Sequence, residues 1–215
     1  MAALQCVEAL ERAVAVLDEH YRVCDERFGG KFNDLGIESR KRLKQMIWLL
    51  SEIGRYLEME ANAQKPLKKL GARAASGEIS SEEWHLQMRS PEMRKLICSM
   101  PRISEPLETL SEAFYWIAFR ARRVIRMLPD MGSFEAEGVR NTRNKLIEHA
   151  EGKDSGVVIS SFGWGAPQGP VIKAIRYGEH ADLWPDQGLF NNAAEFAERL
   201  RALAADALAK ARNSR

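Results

Sequence analysis

Apolar positions recur at steps of three and four from the first residues onward. Leu4, Val7, Leu10, Val14, Leu17 and Tyr21 form one stripe, the pattern of a helix that buries one face. Gly29–Gly30 stops it. A second stripe of Leu43, Ile47, Leu50, Ile53 and Leu57 predicts a helix from about Ser39 to about Ala63. Residues 64–79 change character. Lys65, Lys68, Lys69 and Arg73, interspersed with Pro66, Gly71 and Gly77, read as a basic, mobile connection. Ser80 and Glu83 then form an S-x-x-E capping box, which starts a short helix to about Cys98. Pro101 and Pro106 bracket a break.

The strongest periodicity follows. Leu107, Leu110, Phe114, Ile117, Ala121, Val124 and Leu128 alternate steps of three and four, a seam suited equally to a bundle and to a second copy of the chain. Pro129 and Gly132 end it, and Ser133 is placed to cap the next helix, with Glu135 and Glu137 near its positive end. The period then changes. Residues 156–162 and 171–177 are β-branched and apolar, separated by the glycine-rich residues 163–170, and predict a β-hairpin with a long loop. A last helix begins near Asn192, with Glu195 three residues on and Phe196, Leu200, Leu203, Ala207 and Leu208 on its buried face. The expected fold class is mainly α: an antiparallel helical bundle with a small β-hairpin (about 156–177) and a C-terminal helix. The chain reads as a single domain over 1–215, in which 1–150 is the bundle and 151–215 an appendage.

Composition narrows the function classes. A net charge of +2 removes bulk charge as an argument for nucleic acid or membrane binding, so any such case rests on local clusters. Glu8 and Glu11 interrupt the segment where a secretory signal needs an apolar run. Apolar runs such as Met46–Leu50 fall far short of a bilayer span, and a cytoplasmic location with no membrane partner is expected. Cys6, Cys24 and Cys98 show no C-x-x-C spacing, and the four histidines are scattered. Reduced thiols, no metal site and no cofactor are the expectation.

The stretch Gly138–Glu151, GVRNTRNKLIEHAE, holds Arg143–Asn144 and then His149 after four residues, an R-N-x4-H pattern. It resembles the signature of the HEPN superfamily, small all-helical domains in which an arginine, often followed by a polar residue, precedes a histidine by four to six residues. The resemblance covers the motif, the bundle before it and the motif's place late in that bundle. It implies a metal-independent endoribonuclease, with a toxin or defence role and an antitoxin partner among the expectations, in which two copies of the motif meet across a homodimer interface. In that reading His149 serves as general base or acid on the ribose 2′-OH and the leaving oxygen. Arg143 holds the scissile phosphate, and Asn144 orients one of them. The 2′-OH nucleophile restricts the substrate to RNA. Arg120, Arg122, Arg123, Arg126, Arg140 and Lys145 are candidates to track its phosphates. Some relatives carry a tyrosine two residues after the histidine that a partner enzyme modifies. That position is Glu151 here, so the modified arrangement is not expected.

Each residue also has a plainer reading. Six residues along a regular helix leave Arg143 and His149 about 120° apart around the axis. Convergence therefore needs a distorted helix end, a long reach by the arginine, or a second chain. His149 also suits a helix C-terminus without chemistry, and the arginines suit a solvated face or salt bridges to Glu137, Glu148 or Glu151. On these readings the chain is a non-catalytic helical interaction module, or one that binds nucleotide or RNA, in which the motif is structural. Trp48, Trp84 and Trp116 sit on helical patterns and read as core or interface. Trp164 reads as a loop residue that covers core or stacks on a base.

Overall fold

The computed structural model describes residues 2–150, 157–161, 170, 172–176 and 188–213. Helix α1 (Ala2–Phe28) buries Cys6, Leu10, Ala13, Leu17, His20 and Cys24. The core face is thus rotated slightly from the expected stripe: Leu4 is 60% exposed, and the small Cys6 and Ala13 let neighbouring helices approach. Gly29 and Gly30 end α1 with φ of 59° and 80°, the left-handed backbone that L residues resist. Both N–H groups return to the Asp25 carbonyl.

Helix α2 (Asn33–Ala75) starts earlier and ends later than its stripe alone indicates. It starts early because Gly36 permits a close crossing. A Cβ there would lie 2.2 Å from a Tyr21 ring carbon. The Tyr21 hydroxyl donates to Asn33 Oδ1 at 2.8 Å, and Arg40 Nε donates to Asp18 at 2.9 Å. α1 and α2 therefore run antiparallel. Residues 64–75, expected as a mobile connection, are helical and contain Pro66. Proline forfeits one backbone bond, but Gln64 and Leu70 are buried on the inner face, and the surrounding Ala, Lys and Leu favour helix. Gly77 (φ 73°) then turns the chain, with the Glu78 N–H bonded to the Arg73 carbonyl at 3.0 Å.

The expected helix from 80 to 98 is split. α3 (Ser81–Met88) opens on the capping box read from the sequence: Ser80 Oγ accepts from the Glu83 N–H, and Glu83 accepts from the Ser80 N–H. α4 (Pro91–Ser99) restarts with Ser90 as N-cap and Pro91 in the first turn, where a missing N–H costs nothing. Pro101 marks a start rather than a break. α5 (Pro101–Ile125) begins there and continues through Pro106. The seam is used inside the chain, with Leu107, Phe114, Ala121 and Leu128 buried in the common core. The burial of these residues needs no second copy.

α6 (Glu137–Ala150) starts four residues after Ser133, which is therefore not its cap. Strands β1 (Val157–Ser161) and β2 (Ile172–Arg176) pair antiparallel, with Val157 opposite Arg176 and Ser161 opposite Ile172. The expected Trp164 loop lies outside the described residues. α7 (Leu189–Asn213) begins before Asn192, so that residue lies within the helix. Instead of capping, Asn192 Nδ2 donates to the Tyr115 hydroxyl at 2.8 Å in the core.

The main core lies among α1, α2, α5 and α7, with α6 packed on α5 and α7. α7 lies chiefly along α1 and buries Leu189, Phe196, Leu200 and Ala204. It is part of the bundle rather than an appendage. α1 and α7 also run the same way. Cys6 Sγ donates to the Phe190 carbonyl at one end, and Arg212 meets Glu19 toward the other. The bundle is thus not antiparallel throughout, and the long connection after α6 makes this return. No helix among the described residues is long and apolar enough to cross a membrane.

Candidate functional site

The site is built where α6 crosses α5. Val139, Thr142 and Leu146 form the inner face of α6, and Gly138 lets it close on α7. A Cβ there would stand 2.1 Å from Asn192 Oδ1. One step around the helix from Thr142, Arg143 is half-buried against α5. Its guanidinium carbon lies 4.8 Å from the Trp116 ring centroid and 4.4 Å from that of Phe119. Both contacts are within cation–π range. Nη1 donates to Asn144 Oδ1 at 3.3 Å, and Nε is buried without a hydrogen-bond partner among the described residues. No described carboxylate pairs with Arg143. Among the described residues the cation is held by aromatic faces and a neutral amide rather than by a carboxylate.

The other arginines separate into two groups. Arg122 is buried and gives Glu135 Oε2 two hydrogen bonds, from Nε at 3.0 Å and from Nη2. Arg126 reaches Glu135 Oε1 at 2.8 Å, and Arg140 stands 4.0 Å from Oε2. Burial pushes the Glu135 carboxyl up. The hydrogen bond from Arg122 and the charges of Arg122, Arg126 and Arg140 outweigh it and hold the group below the usual carboxylate range. Arg126 Nε also donates to the Gly132 carbonyl at 3.0 Å. Glu135, expected near a helix N-terminus, instead ties the loop between α5 and α6 to α5. Arg120 and Arg123 are exposed and have no ion pair among the described residues. The side chains of Lys145 and His149 lie outside the described residues, as does Glu151. The backbone of α6 is helical from Arg143 through His149.

The aromatic clamp is the part sequence reasoning missed. Trp116 and Phe119 are three apart on α5 and lie off the Phe114–Ile117–Ala121 seam. That offset was the available signal, because an aromatic pair outside the packing stripe needs another partner. Trp116, expected as core or interface, is 40% exposed, and Trp48 is 57% exposed.

His20 is fully buried, with Nε2 3.3 Å from Cys24 Sγ and Nδ1 without a hydrogen-bond partner among the described residues. Burial lowers its pKa, against the pull of Asp130. Burial likewise raises the Cys24 thiol and lifts Cys6 to about 11. Burial thus favours the protonated form of both thiols. Among the described residues no three His, Cys, Asp or Glu side chains gather in a way that could hold a metal.

Comparison with known proteins finds no matching family model, no similar curated protein and no similar solved structure.

Proposed function

We infer that the chain is a HEPN-like, metal-independent endoribonuclease acting as a homodimer. The observation that carries this reading is Arg143, a guanidinium clamped by Trp116 and Phe119 beside Asn144, with no carboxylate partner among the described residues. A phosphate is the anion that such a planar donor accepts best. The unbroken helical backbone from 143 to 149 keeps the two motif positions about 120° apart. That supports pairing each arginine with the histidine of a second copy.

The chemistry needs no group beyond the motif. His149 takes the proton of the ribose 2′-OH, and the oxygen attacks the adjacent phosphorus. The bond to the 5′-oxygen breaks, and an imidazolium returns a proton to that leaving oxygen. Arg143 holds the phosphate and offsets the charge that builds on its oxygens. A cytoplasmic toxin or defence role, with an antitoxin as partner, follows from the resemblance alone. The exposed Arg120 and Arg123 would track flanking phosphates, while Arg122, Arg126 and Arg140 share one carboxylate and retain net positive charge between them.

The test is incubation with a labelled RNA and its deoxy counterpart in EDTA, beside His149→Ala and Arg143→Ala. Cleavage of RNA alone, lost in both variants, is expected. Persistent cleavage by His149→Ala, or none by the wild type across several RNAs, overturns the reading. A second reading is a non-catalytic module in which the motif is structural. It is favoured by the buried Nε of Arg143, which makes that side chain a staple between α5 and α6. There Arg143→Ala lowers thermal stability with no activity to lose.

A further inference from the structure

We propose that the outward face of α2 around Trp48 binds single-stranded nucleic acid, independently of any cleavage at Arg143. Ile37, Lys41, Lys44 and Trp48 recur at steps of four, three and four, opposite the buried Leu43, Met46, Leu50 and Ile53. All four are exposed, Ile37 at 54% and Trp48 at 57%. With Arg40 and Gln45 they line a shallow open groove whose surface is mainly apolar.

The charges on this face are unequal in status. Arg40 is tied to Asp18, and Arg42 to Glu38. Lys41 and Lys44 have no acidic partner among the described residues. Two ammonium groups without an acidic partner, rising by about 4.5 Å along the helix, therefore stand beside an indole with no ring partner among the described residues. An aromatic face for a base next to cations for the backbone is how unpaired strands are gripped without sequence readout.

Other occupants fit less well. A second copy docking through the same patch would set Lys41 and Lys44 against their own equivalents. Two separated apolar side chains give a lipid surface little to bury. A duplex hides its base faces from Trp48.

The experiment is fluorescence anisotropy with a fluorescein-labelled oligo-dT strand in EDTA. This strand has no 2′-OH to serve as nucleophile, so binding is read apart from cleavage. Trp48→Ala is expected to weaken binding about tenfold while leaving its salt dependence unchanged. Lys41→Gln/Lys44→Gln is expected to flatten the slope of log K against log salt by about 0.7 per lysine. Circular dichroism and melting of these surface variants confirm that they fold. Wild-type binding that survives both α2 variants overturns the proposal. So does absence of binding, a preference for duplex, or preferential capture by phosphatidylserine vesicles. None of these outcomes bears on whether RNA is cut at Arg143.

Discussion

Arg143 shows how an arginine can be fixed without a carboxylate. A salt bridge would position the guanidinium and also cancel its charge. Two aromatic faces at 4.8 and 4.4 Å position it without bringing an opposite charge. A double-mutant cycle in urea with Trp116→Ala and Arg143→Ala should give a coupling of about 1 kcal/mol; additive losses would mean that the contact contributes nothing. In the cleavage assay, Trp116→Ala should lower turnover while Trp116→Phe keeps most of it, because the second retains a ring beneath the cation. His20 carries a separate pH effect. Its folded pKa lies below the unfolded value because burial disfavours the charged ring. As pH falls through about 6.5 the unfolded chain takes up this proton first. Stability should therefore fall below that pH and be fully present above it. His20→Gln should flatten this part of the profile, and an unchanged profile would show that His20 does not cause it.

At the scale of the element, the close approaches are set by glycine and the interruptions by proline. Gly36 and Gly138 each sit where a Cβ would collide, with the Tyr21 ring and with Asn192 respectively. Gly138→Ala should cost about 1–3 kcal/mol by overpacking and disturb the placement of Arg143; denaturant melts measure the first and the cleavage assay the second. Pro66 acts in the opposite sense. It interrupts the hydrogen bonding of α2 at a position that is nonetheless helical. Pro66→Ala should raise the melting temperature, by a stabilisation of up to about 3 kcal/mol. A fall would show that proline's restriction of the unfolded chain outweighs the lost helix bond.

At the scale of the molecule, the arrangement depends on α7. It lies along α1 in the same direction, places Asn192 in the core against the Tyr115 hydroxyl, and sets Phe196 edge-on to Phe134 at 5.1 Å. Phe134 belongs to the loop between α5 and α6, so α7 supports the segment that carries Glu135 and leads to the motif. Phe196→Ala should cost about 3–5 kcal/mol. It should also loosen the loop, read as faster hydrogen exchange at Met131 and Ala136. Protection unchanged at those amides would separate α7 from the site.

The amino-acid sequence by itself determined what depends on local spacing. The helical class, the capping box at Ser80, the glycine stop after Phe28 and part of the buried faces of α5 (Leu107, Phe114, Ala121) and α7 (Phe196, Leu200, Ala207) are all written in residues within a few positions of one another. Helix period and cap chemistry act over that range. Tertiary structure alone decided the rest. Helix through Pro66 and Pro106 reflects packing that outweighs a single lost bond. Asn192 looks like a cap until Tyr115, 77 residues away in the chain, is beside it. The arginines from 120 to 140 form one basic cluster in sequence, yet in space Glu135 holds three of them, and Trp116 with Phe119 holds Arg143. Charge status is set by what lies within a few ångströms, and those neighbours come from different helices.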